Sequence, residues 1–429
     1  MSKLFTYLIT GLAFSILGQA NQSDFQARLA RLEALVQQQQ QTIKQQQQEI
    51  SALRDHQEES VTLAADFEVS QDNLEGEMMA ALKESELLTF GKNVDGLALK
   101  NDARFRYEVR DRDNEAANRE RLRLRLRLGG TYTNKTENWK FGLGLEVGSD
   151  DHDSANQTLN NSGTFSSLDI FLDYAYATHS WDQLSLTVGQ MKNPFKTTNL
   201  VWDGDIRPVG AAVGYDNDGM FATLAWFDAH RGDSTGSGQD YNDDALIVAG
   251  QVGFEAESED ASWGAALGYM AGNEAVDTHL SGAASDEYDA QVGDLYAWLN
   301  TDLGDVDLKV FGHAALNFGA DGASLVAGEQ ADDNDLAWTI GAQAGIAKFK
   351  LKYAYRHIEA DSVIGSLTDS DFGSGVGASG NTNVEGHTVY IGYKLLNSVE
   401  LGLNSMFYDR IEGPSRDAKY YQLDLKYKF

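Results

Sequence analysis

The chain has 429 residues, a formal net charge of -31 at pH 7 and no cysteine. The missing cysteine excludes a disulfide framework and any thiolate metal site. The negative excess excludes nucleic acid as a partner, because its phosphates would be repelled. Only 3 prolines stand against 42 glycines, which suits many uninterrupted backbone ladders, since proline removes a ladder donor.

The N-terminus carries an address. Lys3 precedes an uncharged apolar run from Leu4 to Leu17, and Gly18-Gln19-Ala20 is a small-x-small cleavage pattern. Residues 1–20 read as a secretory signal peptide; a run of about 14 residues is short for a membrane-spanning helix. Residues 21–60 are rich in glutamine, yet Leu29, Val36, Ile43 and Ile50 recur every seven residues. Phe25, Leu32 and Leu53, with Gln39 and Gln46, fill the companion seam. The spacing predicts a parallel, self-associating α-helical coiled coil of about four heptads, with dimer and trimer both open. Residues 61–96 form an acidic linker, and the sequence leaves open whether it reaches into a pore.

From residue 97 the period changes from seven to two. In RERLRLRLRLGG, Leu122, Leu124, Leu126 and Leu128 share one face, and Arg121, Arg123, Arg125 and Arg127 share the other. Similar segments at 103–110, 120–134, 139–148, 166–178, 183–190, 209–216, 219–230, 244–255, 261–272, 290–302, 305–318, 335–346, 349–358, 385–396, 399–409 and 419–429 make about sixteen strands. Their lengths cluster near the roughly 9–11 residues of a tilted membrane-crossing strand. The fold class is all-β: an antiparallel transmembrane β-barrel over 97–429, with leucines toward lipid and arginines toward a watery lumen.

The connections alternate in length. Long ones at 149–165, 191–208, 231–243, 273–289, 319–334 and 359–384 are rich in Asp, Gly, Ser and Asn. Short ones fall at Asn134 to Glu137, His179 to Asp182, Asn217-Asp218, Gly304-Asp305, Ala347-Lys348 and Asn397-Ser398. Long external loops against short periplasmic turns is the layout of bacterial outer-membrane barrels, so the coiled coil is expected in the periplasm. Aromatics such as Trp139, Trp181, Trp226, Tyr353, Tyr393 and Tyr408 are candidates for interface girdles against outer-membrane lipid.

At the C-terminus, Tyr421, Leu423, Leu425, Tyr427 and terminal Phe429 alternate with polar residues. This resembles the signal that outer-membrane proteins show to the barrel assembly machinery, which makes Phe429 the candidate assembly residue. The stretch VGQMKNPF, Val188 to Phe195, ahead of KTTNLVWDGDIRP, resembles the Gly-Gln-x-Lys-x-Pro-Phe signature of the phosphate-selective porins and their putative-porin relatives. The layout of signal peptide, coiled coil, sixteen strands and terminal Phe resembles them too. The resemblance implies a homotrimer and a third external loop that folds into the barrel. That loop would carry Lys192, Lys196, Asp203, Asp205 and Arg207 to a constriction, with Pro194 and Phe195 beside them.

Taking apolar positions as lipid-facing, Arg104, Arg106, Arg110, Arg121, Arg123, Arg125, Arg127, Lys140, Lys309, Lys350, Lys352 and Arg356 point inward. The clear inward acids are fewer: Glu108, Glu146, Asp169, Asp173, Asp307 and Asp424. HExxH does not occur, so no enzyme, metal or cofactor is expected. Acidic runs such as Asp216-Asn217-Asp218-Gly219 lack EF-hand spacing and read as turns. The expected function is a porin: a water-filled channel for passive diffusion of small hydrophilic solutes, anionic ones among them. The alternative is a structural outer-membrane anchor whose coiled coil contacts the periplasm or cell wall.

Overall fold

The computed structural model of the protein describes residues 95–113, 118–148, 154–160, 168–230, 244–273 and 289–429. The signal peptide, the coiled coil and all but the end of the acidic linker lie outside the described residues.

Strict alternation of apolar and polar residues suits a strand that is greasy on one side and wet on the other. Sixteen long strands follow in order: β1 Asp102–Arg112, β2 Arg119–Asn134, β3 Trp139–Gly148, β4 Asp169–Trp181, β5 Leu184–Gln190, β6 Val209–Asn217, β7 Met220–His230, β8 Ala245–Glu257, β9 Ala261–Gly272, β10 Gln291–Leu303, β11 Val306–Asn317, β12 Leu336–Ile346, β13 Phe349–Ile358, β14 Val384–Lys394, β15 Val399–Arg410 and β16 Asp417–Lys428. Each pairs antiparallel with its sequence neighbour. The sheet closes where β16 meets β1, with Asp424 opposite Arg106. The sixteen strands expected from the period-two pattern are therefore the sixteen of a closed barrel. Leu97–Leu99 extends the line of β1 beside Gly130–Tyr132, and Gln157–Thr158 pairs with Arg123 and Leu124.

All seven short turns lie at one end of the barrel, together with both ends of the barrel sequence. There Asn101 and Phe429 exchange two backbone hydrogen bonds of 3.3 Å. Three turns differ from expectation. The one placed at Asn217-Asp218 falls on Asp218-Gly219, with φ of 50° and 82°. A two-residue hairpin of this hand needs positive φ at both centres, which Asp-Gly supplies. Strand β4 continues through His179 to Trp181 before turning. The turn at Asn397-Ser398 is longer, since β14 ends at Lys394.

The outer wall exposes a belt of large apolar side chains, including Phe105, Leu122, Leu143, Ile170, Leu224, Leu267, Leu295 and Ile340. In water such a belt would invite association; around a barrel it matches the lipid face. Trp139 and Trp181 pack about His179 at the short-turn end, with ring centroids 4.6 and 4.3 Å away. Tyr408 is not a girdle residue. Its even-numbered place on β15 turns it inward, where it is buried and lies 5.2 Å from Phe372.

Candidate functional site

The arginine-bearing faces of β1 and β2 set the chemistry of the interior. Arg104 lies opposite Arg125, and Arg106 opposite Arg123. Like charges at opposed positions repel, so this wall folds only if acids reach it. Some come from the strands. Asp424 holds Arg106 in a two-pronged contact of 2.7 and 3.1 Å, and Glu108 binds Arg121 and lies 3.7 Å from Arg123. Asp102 meets Arg125 at 2.8 Å and Glu146 meets Arg127 at 3.2 Å. A bulge at Gly144/Leu145 leaves Asp173 without a cross-strand partner; its carboxylate lies 2.8 Å from Arg207 and 3.9 Å from Arg127. Re-aiming one side chain is a common use of a bulge.

The remaining acids come from two loops at the long-loop end. Loop 191–208 is closed at its neck by Met191 N–H donating to Pro208 O at 2.9 Å. Leu200, Val201, Trp202 and Ile206 are buried, with Trp202 5.6 Å from Phe227. The Gln251 side chain bonds both the N–H and the C=O of Lys196 at 2.9 Å. The Thr198 hydroxyl bonds His313 Nδ1 at 2.8 Å, and His313 Nε2 meets Asp294 at 3.1 Å. Asp205 reaches the opposite wall, 2.9 Å from Arg127 and 3.6 Å from Arg125. The loop is thus tied to β2, β8 and β11 and crosses the interior between them.

Loop 359–383 also turns inward. Val363, Ile364, Leu367, Phe372 and Val376 are buried. Its Asp369 pairs with Arg356 at 2.5 Å, and its Asp371 meets Arg106 at 3.2 Å and accepts from Gln422 at 2.8 Å. The two loops grip each other. Asp203 N–H donates to Leu367 O at 2.6 Å, Ser370 N–H donates to the Asp203 carboxyl at 3.1 Å, and Asp369 N–H donates to Asn199 O at 3.2 Å.

Asp203 and Asp205 stand two residues apart with opposite electrostatics. Burial, then the nearby Asp369, pushes the Asp203 carboxyl up to about 8, against the backbone N–H bonds it accepts. Burial would raise Asp205 too, but Arg127, Arg125 and Arg104 outweigh it and hold it at about 2. Asp371 is held below the usual carboxylate range: Arg106 and the Gln422 amide overcome its burial. For Asp203 the native state keeps a proton that the unfolded chain releases near pH 4. Its contribution to the loop–loop contact therefore falls as pH rises from about 4 to about 8 and is flat beyond. Loops gripping less tightly at pH 8 than at pH 5 should make single-channel current noisier, and Asp203→Asn should remove that pH dependence. Equal noise in the native chain at both pH values would contradict this.

The other expected residues are placed as follows. Lys192 lies over the Tyr174 ring at 4.9 Å, and Lys196 pairs with Glu255 at 2.5 Å. Arg104 donates to Asn156 at 3.1 Å, and Phe195 packs edge-on against Phe227 at 6.2 Å. Lys352 and Arg356 line a cavity of about 690 Å³ that runs from Asn199 and Asp371 at the loops to Lys394 and Ser398 at the short turns. It is lined by Arg104, Arg106, Arg356 and six lysines, against the four acids Asp369, Asp371, Glu400 and Asp424. Phe429 is exposed and stacks on Tyr427 at 5.1 Å.

Residues 93–271 and 279–429 match the family described as "Putative porin". The chain belongs to that family. Among solved structures, OprB of Pseudomonas putida is similar to the porin with a TM-score of 0.53 at 11% identity, over 78% of this chain and 94% of that one. A triple mutant of the Rhodopseudomonas blastica porin gives a TM-score of 0.43 at 12% identity, over 78% of this chain and 100% of that one. At 11% identity the likeness to OprB speaks for the fold alone. No curated protein sequence matches the porin. Family and closed barrel point to a channel of the outer membrane rather than an enzyme.

Loop 359–383 was missed as an element of the site. Its apolar residues at 363, 364, 367, 372 and 376 were the available signal, because a loop that stays in water has no use for five of them.

Proposed function

We propose that the porin forms a water-filled channel for passive diffusion of small hydrophilic solutes, with a mild preference for anions. Arg104, Arg106, Arg121, Arg123, Arg125, Arg127, Lys352 and Arg356 line the pore. Lys192, Lys196, Asp203, Asp205 and Arg207 belong to the constriction, joined by Asp369 and Asp371. With an even strand count, both ends of the barrel sequence fall on the short-turn side, which we assign to the periplasm.

The observation that carries the reading is the cavity of about 690 Å³, whose wall holds nine cationic side chains against four carboxylates. The negative excess of the chain as a whole bears less on an ion already inside. Exposed charges are screened over about 8 Å at physiological ionic strength, and charges within a narrow lumen less so. An anchor would have no need of a charged, hydrated interior. Reversal potentials across a KCl gradient test the preference. They should lie on the chloride side and move toward zero when Arg123 and Arg125 become Ala. Strong cation selectivity, unaltered in that variant, would mean that the acidic loops govern.

Two further parts of the reading concern assembly. The heptads of residues 21–60 support self-association, which we propose is trimeric. Native mass measurement in mild detergent, with and without those residues, reads the copy number. Exposed Phe429 on the final strand supports its role as the signal to the assembly machinery. Phe429→Asp should lower the folded, heat-modifiable fraction in outer membranes, and an unchanged fraction would count against it.

A further inference from the structure

We infer that the periplasmic half of the lumen holds a binding site for small sugar acids, built on Lys309, Lys350 and Lys352. The inference rests on the channel reading above and adds a ligand class to it.

Lys309, Gln343, Lys352, Tyr390 and Asn404 are successive cross-strand partners on β11 to β15. They form one inward row along the wall of the cavity. Lys350 lies in the next row toward the periplasm, where its partners are Gly345 and Gly392. Gly392 is itself opposite Gly402. A Cβ on Gly402 would come within 2.4 Å of the Tyr390 hydroxyl, so the floor beside Lys350 is kept bare by close packing.

The arginines of the lumen wall are largely matched by carboxylates. Arg106, Arg121, Arg125, Arg127 and Arg356 each have one within ion-pair distance. Lys309, Lys350 and Lys352 have none among the described residues. Lys309 and Lys352 rest instead over the rings of Tyr296 and Tyr390, at 5.9 and 5.5 Å. Rings steady an ammonium without cancelling its charge. Three neighbouring cations are thereby left available to an anion.

Charge alone would fit any anion. Beside the lysines, however, stand neutral groups without partners. The Thr388 hydroxyl oxygen is buried and has no hydrogen-bond partner, and the Gln343 amide makes no side-chain hydrogen bond among the described residues. Both line the same cavity, as do Asn404, Tyr296 and Phe311. An inorganic anion could accept from the Thr388 hydroxyl or the Gln343 N–H, but it has no donor for the carbonyl oxygens of Gln343 and Asn404. A neutral sugar would leave three lysines unused. A carboxylated polyol uses both: its carboxylate meets the lysines, its hydroxyls meet Gln343, Asn404 and Thr388, and its ring carbons lie against Tyr296 and Phe311. The cavity as a whole, from the loops to the short turns, falls in the roughly 300–1,000 Å³ range of small-molecule sites.

The test uses galacturonate, galactose and sulfate as probes on the full-length porin in planar bilayers. Galacturonate should interrupt single-channel current with a dependence on concentration that saturates. Galactose and sulfate at the same concentration should do so at least about tenfold more weakly, a difference of about 1.4 kcal/mol. In a chain carrying both Lys350→Gln and Lys352→Gln, the galacturonate effect should fall by about tenfold or more. Thr388→Val should weaken galacturonate and leave the KCl reversal potential unmoved. Equal block by sulfate would reduce the site to plain charge, equal block by galactose would make it a neutral-sugar site, and no block would remove it; each overturns the inference. Calorimetry of galacturonate on the folded, detergent-solubilised porin separates this from failure of the channel reading. Heat lost in the double lysine variant supports the site even in a protein that passes no current, and absence of heat in the native chain overturns it.

Discussion

Asp424→Ala weakens the barrel at its closing seam by about 3–5 kcal/mol, the cost of stripping one partner from a buried ion pair. Asp424 and Arg106 are 2% and 5% exposed and face each other across β16 and β1, the pair that closes the sheet. Truncation leaves the guanidinium with Asp371 alone, at 3.2 Å, in a wall that already holds Arg104 and Arg123 close by. The lower end of the range is expected, because Asp371 retains part of the attraction. The measurement is the urea midpoint for loss of the heat-modifiable form. A chain with both Arg106→Met and Asp424→Leu should recover only part of the loss, since the apolar pair removes the seam charges but leaves Asp371 with the Gln422 amide in place of Arg106. A midpoint that stays put in Asp424→Ala would show that the seam is held by its backbone ladder alone.

Trp202→Ala releases loop 191–208 from the interior. Trp202 is 5% exposed and packs beside Phe227, and truncating a buried aromatic costs about 3–5 kcal/mol. The polar ties of the loop to Gln251 and His313 contribute only about 0.5–1.5 kcal/mol each, so losing the packing loosens the loop more than losing either of them. Single-channel conductance should rise and become noisy while the folded fraction is kept, because Asp102, Glu108, Glu146 and Asp424 on the strands still match the arginine wall when the loop leaves. Asp205→Asn is the milder companion. It leaves the packing intact and removes the carboxylate facing Arg125 and Arg127, so the reversal potential moves toward chloride with little change in conductance. If Trp202→Ala conducts like the native chain, the loop does not narrow the path.

The barrel was legible because its code is local. Period-two alternation assigns each residue to a face without knowledge of its neighbours, and Leu122 to Leu128 against Arg121 to Arg127 is the plainest case. Turn chemistry was legible where it was read closely, and Asp218-Gly219 shows the cost of placing a turn one residue early. The contents of the lumen were less legible, because they depend on contacts distant in sequence. Asp371 and Arg106 are 265 positions apart, and only the inward course of loop 359–383 joins them. Asp203 and Asp205 look alike in sequence. One is buried against the backbone of the other loop and the other faces arginines, a difference that no spacing rule carries. Tyr408 was misplaced for a simpler reason. Its aromatic character suits a girdle, but its even position on β15 turns it inward, and on a strand parity decides the face.

Single-channel recording of the purified full-length porin in planar bilayers, under a KCl gradient, is the most direct test of the account. Discrete conductance steps whose reversal potential lies on the chloride side are the predicted result. Folded, heat-modifiable protein that inserts into the bilayer and gives no steps would contradict it.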